Sequence, residues 1–267
     1  MRRLLGVDIR RVYEHATFMT NRRFLSYSIA IIAASIFSVI FLLLLGVGQT
    51  SSMWLSAPLI FSTIIYKILI AFQASRVGRE LNTGEVQIYL AHTVTRTEYL
   101  LSTLLVVGVM PTLILLLTYT VMVAIVAPNM LISYDVGSQL LYLSADFMMF
   151  TALVMTLASR GRETAAAVIG SMLALLIWIA IPMLLSFLIY YGSNKPWLYI
   201  VYALTLLVSI ATPFTYRYYY NIYPTMFYPP TGASLYPPSP RLVILISIVA
   251  LIAILVLTFT KFKSRDL

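Results

Sequence analysis

The 267-residue chain is 61% hydrophobic and only 10% charged, and its mean hydropathy of +0.92 excludes a soluble domain with a solvated surface. A formal charge of +9 would raise nucleic acid as a partner of a soluble protein; here Lys and Arg mark the loops that stay cytoplasmic and meet anionic membrane lipid, and no nucleic-acid partner is expected. With no cysteine, disulfides, thiolate metal sites and Cys nucleophiles are excluded.

Residues 1–23 place Leu4, Leu5, Ile9, Val12 and Phe18 among six arginines, a mixture that predicts an amphipathic helix lying in the cytoplasmic interface, with a disordered basic tail as the alternative. The first apolar run starts after those 23 residues without a small-residue cleavage site, so it reads as an uncleaved anchor. The transmembrane domain then fills 24–267, with spanning helices expected at Phe24–Val47, Met53–Ala74, Tyr99–Ala127, Leu140–Ala158, Thr164–Tyr191 and Leu242–Thr260. At 1.5 Å per residue each crosses a hydrocarbon core of about 30 Å. Pro111 and Pro182 are the expected kinks of the third and fifth.

Trp197–Thr212 is also apolar, but its 16 residues reach only about 24 Å as a helix. Charge decides its status. If it does not cross, 14 of the 18 Lys and Arg lie on the cytoplasmic side, three outside (Lys195, Arg217, Arg241) and one, Lys67, within a span. If it crosses, Lys261, Lys263 and Arg265 move outside and the inner count falls to 11. The fold class expected is therefore all-α: a polytopic bundle of six transmembrane helices with both termini cytoplasmic, and an external re-entrant or interfacial hairpin before the last span.

The long cytoplasmic loop, 75–98, reads as a helix continuing past Arg79, a break at Asn82 to Gly84, a short helix from Glu85 to about Ala91, and a new start capped by Thr95 or Thr97 with Glu98 in its first turn. The external segment 192–241 ends in a Tyr- and Pro-rich stretch. Proline there argues against a continuous helix over Thr215–Pro240, and tyrosine suits a membrane interface. Arg217, Tyr218 and Tyr219 are candidates for stacking on a substrate; capping the bundle is the other reading.

Two ionisable residues fall inside spans, Lys67 and Asp146, and such residues are candidates for a translocation path or a polar seam. Lys67 has a long stem that can snorkel toward the cytoplasmic surface. Asp146 has no neighbour of opposite charge on its own helix, and straight-helix counting separates the two by about 11 Å in depth. Small residues recur at Ser26, Ala30, Ala34 and Ser38, at Ala166 with Gly170 and at Ala167 with Ser171, for close helix approach within the subunit or at a subunit interface. The two histidines, His15 and His92, lie outside the apolar cores in no metal-ligand spacing, so no metal site is expected. No acid, base and nucleophile converge within the spans, so no catalytic residues are assigned and the chain is not expected to be an enzyme.

The loop RELNTGEVQIYLAHTVTRTEYLLSTLL resembles a segment of the permease subunits of type-2 ATP-binding-cassette (ABC) exporters, with Arg79, Glu80, Gly84, Leu90, Val94, Thr95, Arg96, Tyr99, Leu100 and Leu101 in register. His92 and Thr93 stand where that family usually has Ser-Pro or Leu-Pro, and Thr103 where Lys is common. The resemblance implies a cell-membrane permease that forms a homodimer or paralogous heterodimer and is driven by a separate ATP-binding cassette ATPase subunit. ATP and Mg would be bound by that partner, because this chain has no G-x-x-x-x-G-K-[ST] phosphate loop and is expected to hold no cofactor. Arg79, Glu80, Gly84, Glu85 and Arg96 would form the coupling element. The function this implies is export of a hydrophobic or amphipathic substrate; a non-transporting membrane anchor or assembly subunit is the alternative.

Overall fold

The computed structural model describes residues 7–19, a few isolated positions of 29–40, and 52–91, 94–126, 134–160, 163–190, 197–226 and 238–263. These residues are almost entirely helical: α1 (Ile9–Met19), α2 (Ser52–Thr83), α3 (Glu85–Ala91), α4 (Arg96–Leu104) running through a π-helical turn (Leu105–Val109) into α5 (Met110–Val126), α6 (Tyr134–Ala158), α7 (Glu163–Tyr190), α8 (Trp197–Ala211), α9 (Pro213–Met226) and α10 (Pro240–Lys263).

Among the described residues, four helical stretches are long and apolar enough to cross a membrane: Arg96–Ile125, Val136–Ala158, Thr164–Ser186 and Pro240–Thr260. The expected first span, with its stripe Ser26 to Ser38, lies outside the described residues apart from those isolated positions. The expected second span falls within α2, a single helix of 32 residues, about 48 Å long.

The core forms where α2 lies against α6 and α7. Tyr66, Ile70, Ala74 and Val77 recur every three or four residues on one side of α2 and are buried against Leu143, Phe150 and Val154 of α6 and Ala166 and Ala174 of α7. Gly170 sets the closest approach: a Cβ there would lie 2.7 Å from the Ala71 Cβ and 3.3 Å from a Val154 methyl. The stripe Ala166 and Gly170 therefore packs within the chain. On the opposite sides, α5 exposes Leu113, Leu117, Val121 and Ile125, and α10 exposes Leu245, Val249, Ile252 and Val256. Apolar faces that long suit acyl chains rather than water.

Several threonines in this apolar interior are satisfied within their own helices. Thr112, Thr118, Thr120, Thr156 and Thr258 each donate to the carbonyl four residues back, as helices without water require. The kink expected at Pro111 takes the form of the π turn, in which the Met110 N–H reaches back five residues to the Leu105 carbonyl. Proline has no N–H to give and its ring presses on the carbonyl four residues earlier, so a widened turn just before it removes the clash. Pro182 lies inside α7.

The short apolar segment is α8, and a break at Thr212 separates it from α9. Helix α9 ends at Met226, and Pro238 and Ser239 are not helical, so no continuous helix runs over Thr215–Pro240, as expected; α9 nevertheless covers the first part of that stretch. Pro213 occupies its first turn, where the missing N–H is not needed, and Pro224 falls near its end; the densest prolines lie beyond it, in 227–237, outside the described residues. The pair packs on α6, α7 and α10. It is held there by the Tyr216 hydroxyl donating to the Pro238 carbonyl at 2.5 Å and the Ser247 hydroxyl donating to the Ile210 carbonyl at 2.9 Å.

Candidate functional site

Two polar centres stand on α2, one in mid-helix and one near its C-terminal end. The first joins the two residues that counting had separated. Lys67 Nζ donates to both Asp146 carboxylate oxygens at 3.0 Å and lies 5.9 Å from the centre of the Phe150 ring. Asp146 is 0% and Lys67 3% exposed. The ammonium therefore does not snorkel to a surface; its partner is across the helix interface. The depth argument fails because it levels the helices by their expected ends. Helix α6 begins at Tyr134, six residues before the expected Leu140, and α2 runs nine residues past Ala74, so the ends are no common reference. The two helices run side by side in one direction, Tyr66 standing edge-on to Phe147 at 5.6 Å and Ala71 and Val154 meeting further along both helices at Gly170.

The second centre is built by the loop. Helix α2 ends at Thr83, and Gly84 takes φ 75°, the left-handed conformation that glycine adopts without a Cβ clash. Helix α3 follows with Glu85 in its first turn. Helix α4 opens with a reciprocal cap: Thr95 Oγ1 accepts from the Glu98 N–H at 3.3 Å and Glu98 Oε2 accepts from the Thr95 N–H at 2.8 Å, which satisfies two otherwise orphaned donors. The other oxygen of Glu98 accepts from the Asp8 N–H at 2.9 Å, tying the start of α1 to the same cap. The break falls at Gly84 alone, with Asn82 and Thr83 still helical, and of the two expected caps, Thr95 and Thr97, it is Thr95 that caps α4.

Glu80 turns inward from this loop. It is 7% exposed, and its Oε2 accepts from the Tyr99 hydroxyl at 2.8 Å while Arg76 Nε stands 3.6 Å from Oε1. Burial raises its carboxyl above the ordinary glutamate value, against the opposing pull of the Tyr99 hydrogen bond and the Arg76 charge. Tyr99, fully buried, is the meeting point of four elements: besides Glu80 of α2 it stacks on Phe262 of α10 (ring centres 6.0 Å, 11° apart) and meets His15 of α1 at 5.6 Å. Burial holds the His15 imidazole below its ordinary value. The surface around this junction carries Arg79, Asn82, Thr83 and Gln87, all exposed, with Glu85 and Arg96 half-buried.

The structure therefore brings Arg79, Glu80, Gly84, Glu85 and Arg96 to one end of α2, but with different aspects: Arg79 outward, Glu80 inward. Arg217, Tyr218 and Tyr219 gather elsewhere, on α9. The Arg217 guanidinium lies 4.8 Å above the Tyr142 ring, and Tyr218 and Tyr219 meet edge to face at 5.3 Å and pack against the two apolar clusters, so all three are engaged in seating α9. Among the described residues no three of His, Asp and Glu converge as metal ligands. The residue that sequence reasoning left without a role is Tyr99: its place four residues after the cap, at the first buried turn of α4, was the available signal, but its partners come from three distant segments.

No protein-family model, curated protein or solved structure matches this chain.

Proposed function

We propose that the chain is the membrane permease subunit of an ATP-driven exporter. Six spans, with both termini cytoplasmic in the cell membrane, form half of a homodimeric or paralogous heterodimeric unit, and a separate ATP-binding cassette subunit binds ATP and Mg and docks on the loop between the second and third spans. The third span then holds α4 and α5, and α8 with α9 is the external hairpin before the last span. Movement of the loop, driven by ATP in the partner, shifts the paired bundles so that a hydrophobic or amphipathic substrate passes outward.

The observation that carries this reading is the build of the loop. Helix α3 is a short element with Gly84 at one end and the Thr95–Glu98 cap closing the other flank. Both flanks are fastened inward, through Glu80 to Tyr99 and through Glu98 to Asp8, while Arg79 and Gln87 face out. Such fastening stabilises the loop in itself, and it also suits a docking element, because a force applied to a slack loop is lost in bending it. The resemblance of residues 79–101 to the coupling segment of ABC exporter permeases gives the partner its class.

The test is purification from native membranes in mild detergent. An ATPase subunit with a G-x-x-x-x-G-K-[ST] loop is expected to copurify, and Arg79→Glu, which reverses an exposed charge that also acts on buried Glu80, is expected to reduce that copurification several-fold while the chain stays folded. Copurification with membrane proteins alone, and no nucleotide-binding chain, overturns the export reading in favour of an anchoring subunit.

A further inference from the structure

The Lys67–Asp146 pair has no part in docking or in the loop, and stability by itself does not explain it. Two charges buried in an apolar bundle lose their hydration, and well-packed apolar residues of similar volume commonly hold such an interface as firmly or more so. An ion pair does what apolar packing does poorly: it fixes one atom against another and so one register against its neighbours. Here the fixing is tight. Both Asp146 oxygens accept from one ammonium at 3.0 Å, and Phe150 covers it at 5.9 Å.

A second, independent constraint lies one turn further along α2. At Ala71 the helix meets Gly170 of α7 so closely that a Cβ would not fit. Within Lys67–Ala71, then, α2 is held to α6 by charge and to α7 by a glycine notch. Beyond that point it continues unbroken to Thr83, 12 residues or about 18 Å, before turning at Gly84 into α3.

We infer that residues 67–71 are the fulcrum of α2 and that the Lys67–Asp146 pair is its positioning element, converting displacement of α3 into a rotation of α2 against α6 and α7. Beyond Ala71 the helix is also packed, through Ala74, Val77 and Leu81 and the Glu80–Tyr99 hydrogen bond, but those contacts lie nearer the pushed end, so a push at α3 turns α2 about the level that the pair and the notch hold. Without the pair the same push lets α2 slide along α6, and the displacement stays local. The mechanical part stands on the geometry alone; its use in transport rests on the export reading above.

The experiment separates the two. The chain has no cysteine, so Gln87→Cys and Arg160→Cys, both exposed, accept spin labels on α3 and at the end of α6 with no other site labelled. Their distance distribution is measured in lipid nanodiscs for the otherwise unchanged chain and for Lys67→Met with Asp146→Leu together. The double variant is expected to melt at or above the temperature of the parent while its distance distribution broadens; an unchanged narrow distribution overturns the fulcrum. In the complex with its ATPase subunit, the double variant is expected to keep hydrolysing ATP while export per ATP falls about tenfold. A role in folding alone would lower both in proportion, and that result, or export per ATP unchanged, overturns the positioning role. If no ATPase subunit copurifies with the unchanged chain, the export reading and the transport role fall together, and the distance measurement still decides the fulcrum.

Discussion

Asp146 and Glu80 are both buried carboxyl groups, and the fold treats them differently. Asp146, in the middle of the bundle, faces an ammonium with both oxygens. Glu80, near the end of α2, faces a neutral tyrosine hydroxyl, with a half-exposed guanidinium 3.6 Å away. The difference follows from the cost of leaving a charge without hydration. Far from water, only an opposite charge in contact offsets that cost. Near the loop, part of the solvent's effect persists, and one hydrogen bond with a neighbouring Arg suffices.

The largest expected effect breaks the first arrangement. Lys67→Met leaves Asp146 in an apolar interior with a side chain too short to reach any surface, and is expected to lower unfolding stability by about 3–5 kcal/mol, measured by thermal melting in detergent. Asp146→Leu should cost less, since the released ammonium has a four-carbon stem with which to reach an interface. Equal losses in the two variants would show that the asymmetry of reach does not matter. A middle effect probes the second arrangement: Tyr99→Phe removes the donor to Glu80 but keeps the ring between Phe262 and His15, and is expected to cost about 1–3 kcal/mol. A loss as large as that of Lys67→Met would erase the distinction between the two sites.

The smallest effect is one of pH. Burial raises the folded-state value of Glu80 above its unfolded value, so the native state holds this proton more tightly than the unfolded chain does. As pH rises through the window above the ordinary glutamate value, this carboxyl therefore lowers stability, and the loss is complete once pH has passed the folded-state value. Glu80→Gln, whose amide oxygen still accepts from Tyr99, is expected to flatten that part of the curve. Melting temperatures of the two proteins compared across that window check it, and parallel curves would show that Glu80 titrates as it does in water.

How much of this was legible in the sequence depends on the range of the cause. Gly84, Thr95 and Glu98 act over three or four residues, and the sequence alone placed the break and the short helix there and narrowed the cap to Thr95 or Thr97. Pro111 announced a disturbance but not its form, because a π turn and a plain kink differ only in how neighbouring carbonyls are accommodated. For the prolines after Thr215, density was visible but position within a helix was not, and Pro213 in a first turn proved compatible with α9.

Composition and apolar run length by themselves determined that the chain is helical and built for an apolar solvent, since both depend only on summed hydrophobicity and a fixed rise per residue. Tertiary structure alone decided that Lys67 meets Asp146, that Gly170 receives Ala71, and that Glu80 looks inward to Tyr99. Each of these joins residues on different helices, and their meeting depends on the relative level and rotation of those helices, which are set by packing across the whole bundle; the local sequences mark Lys67, Asp146 and Gly170 as unusual but name no partner for them.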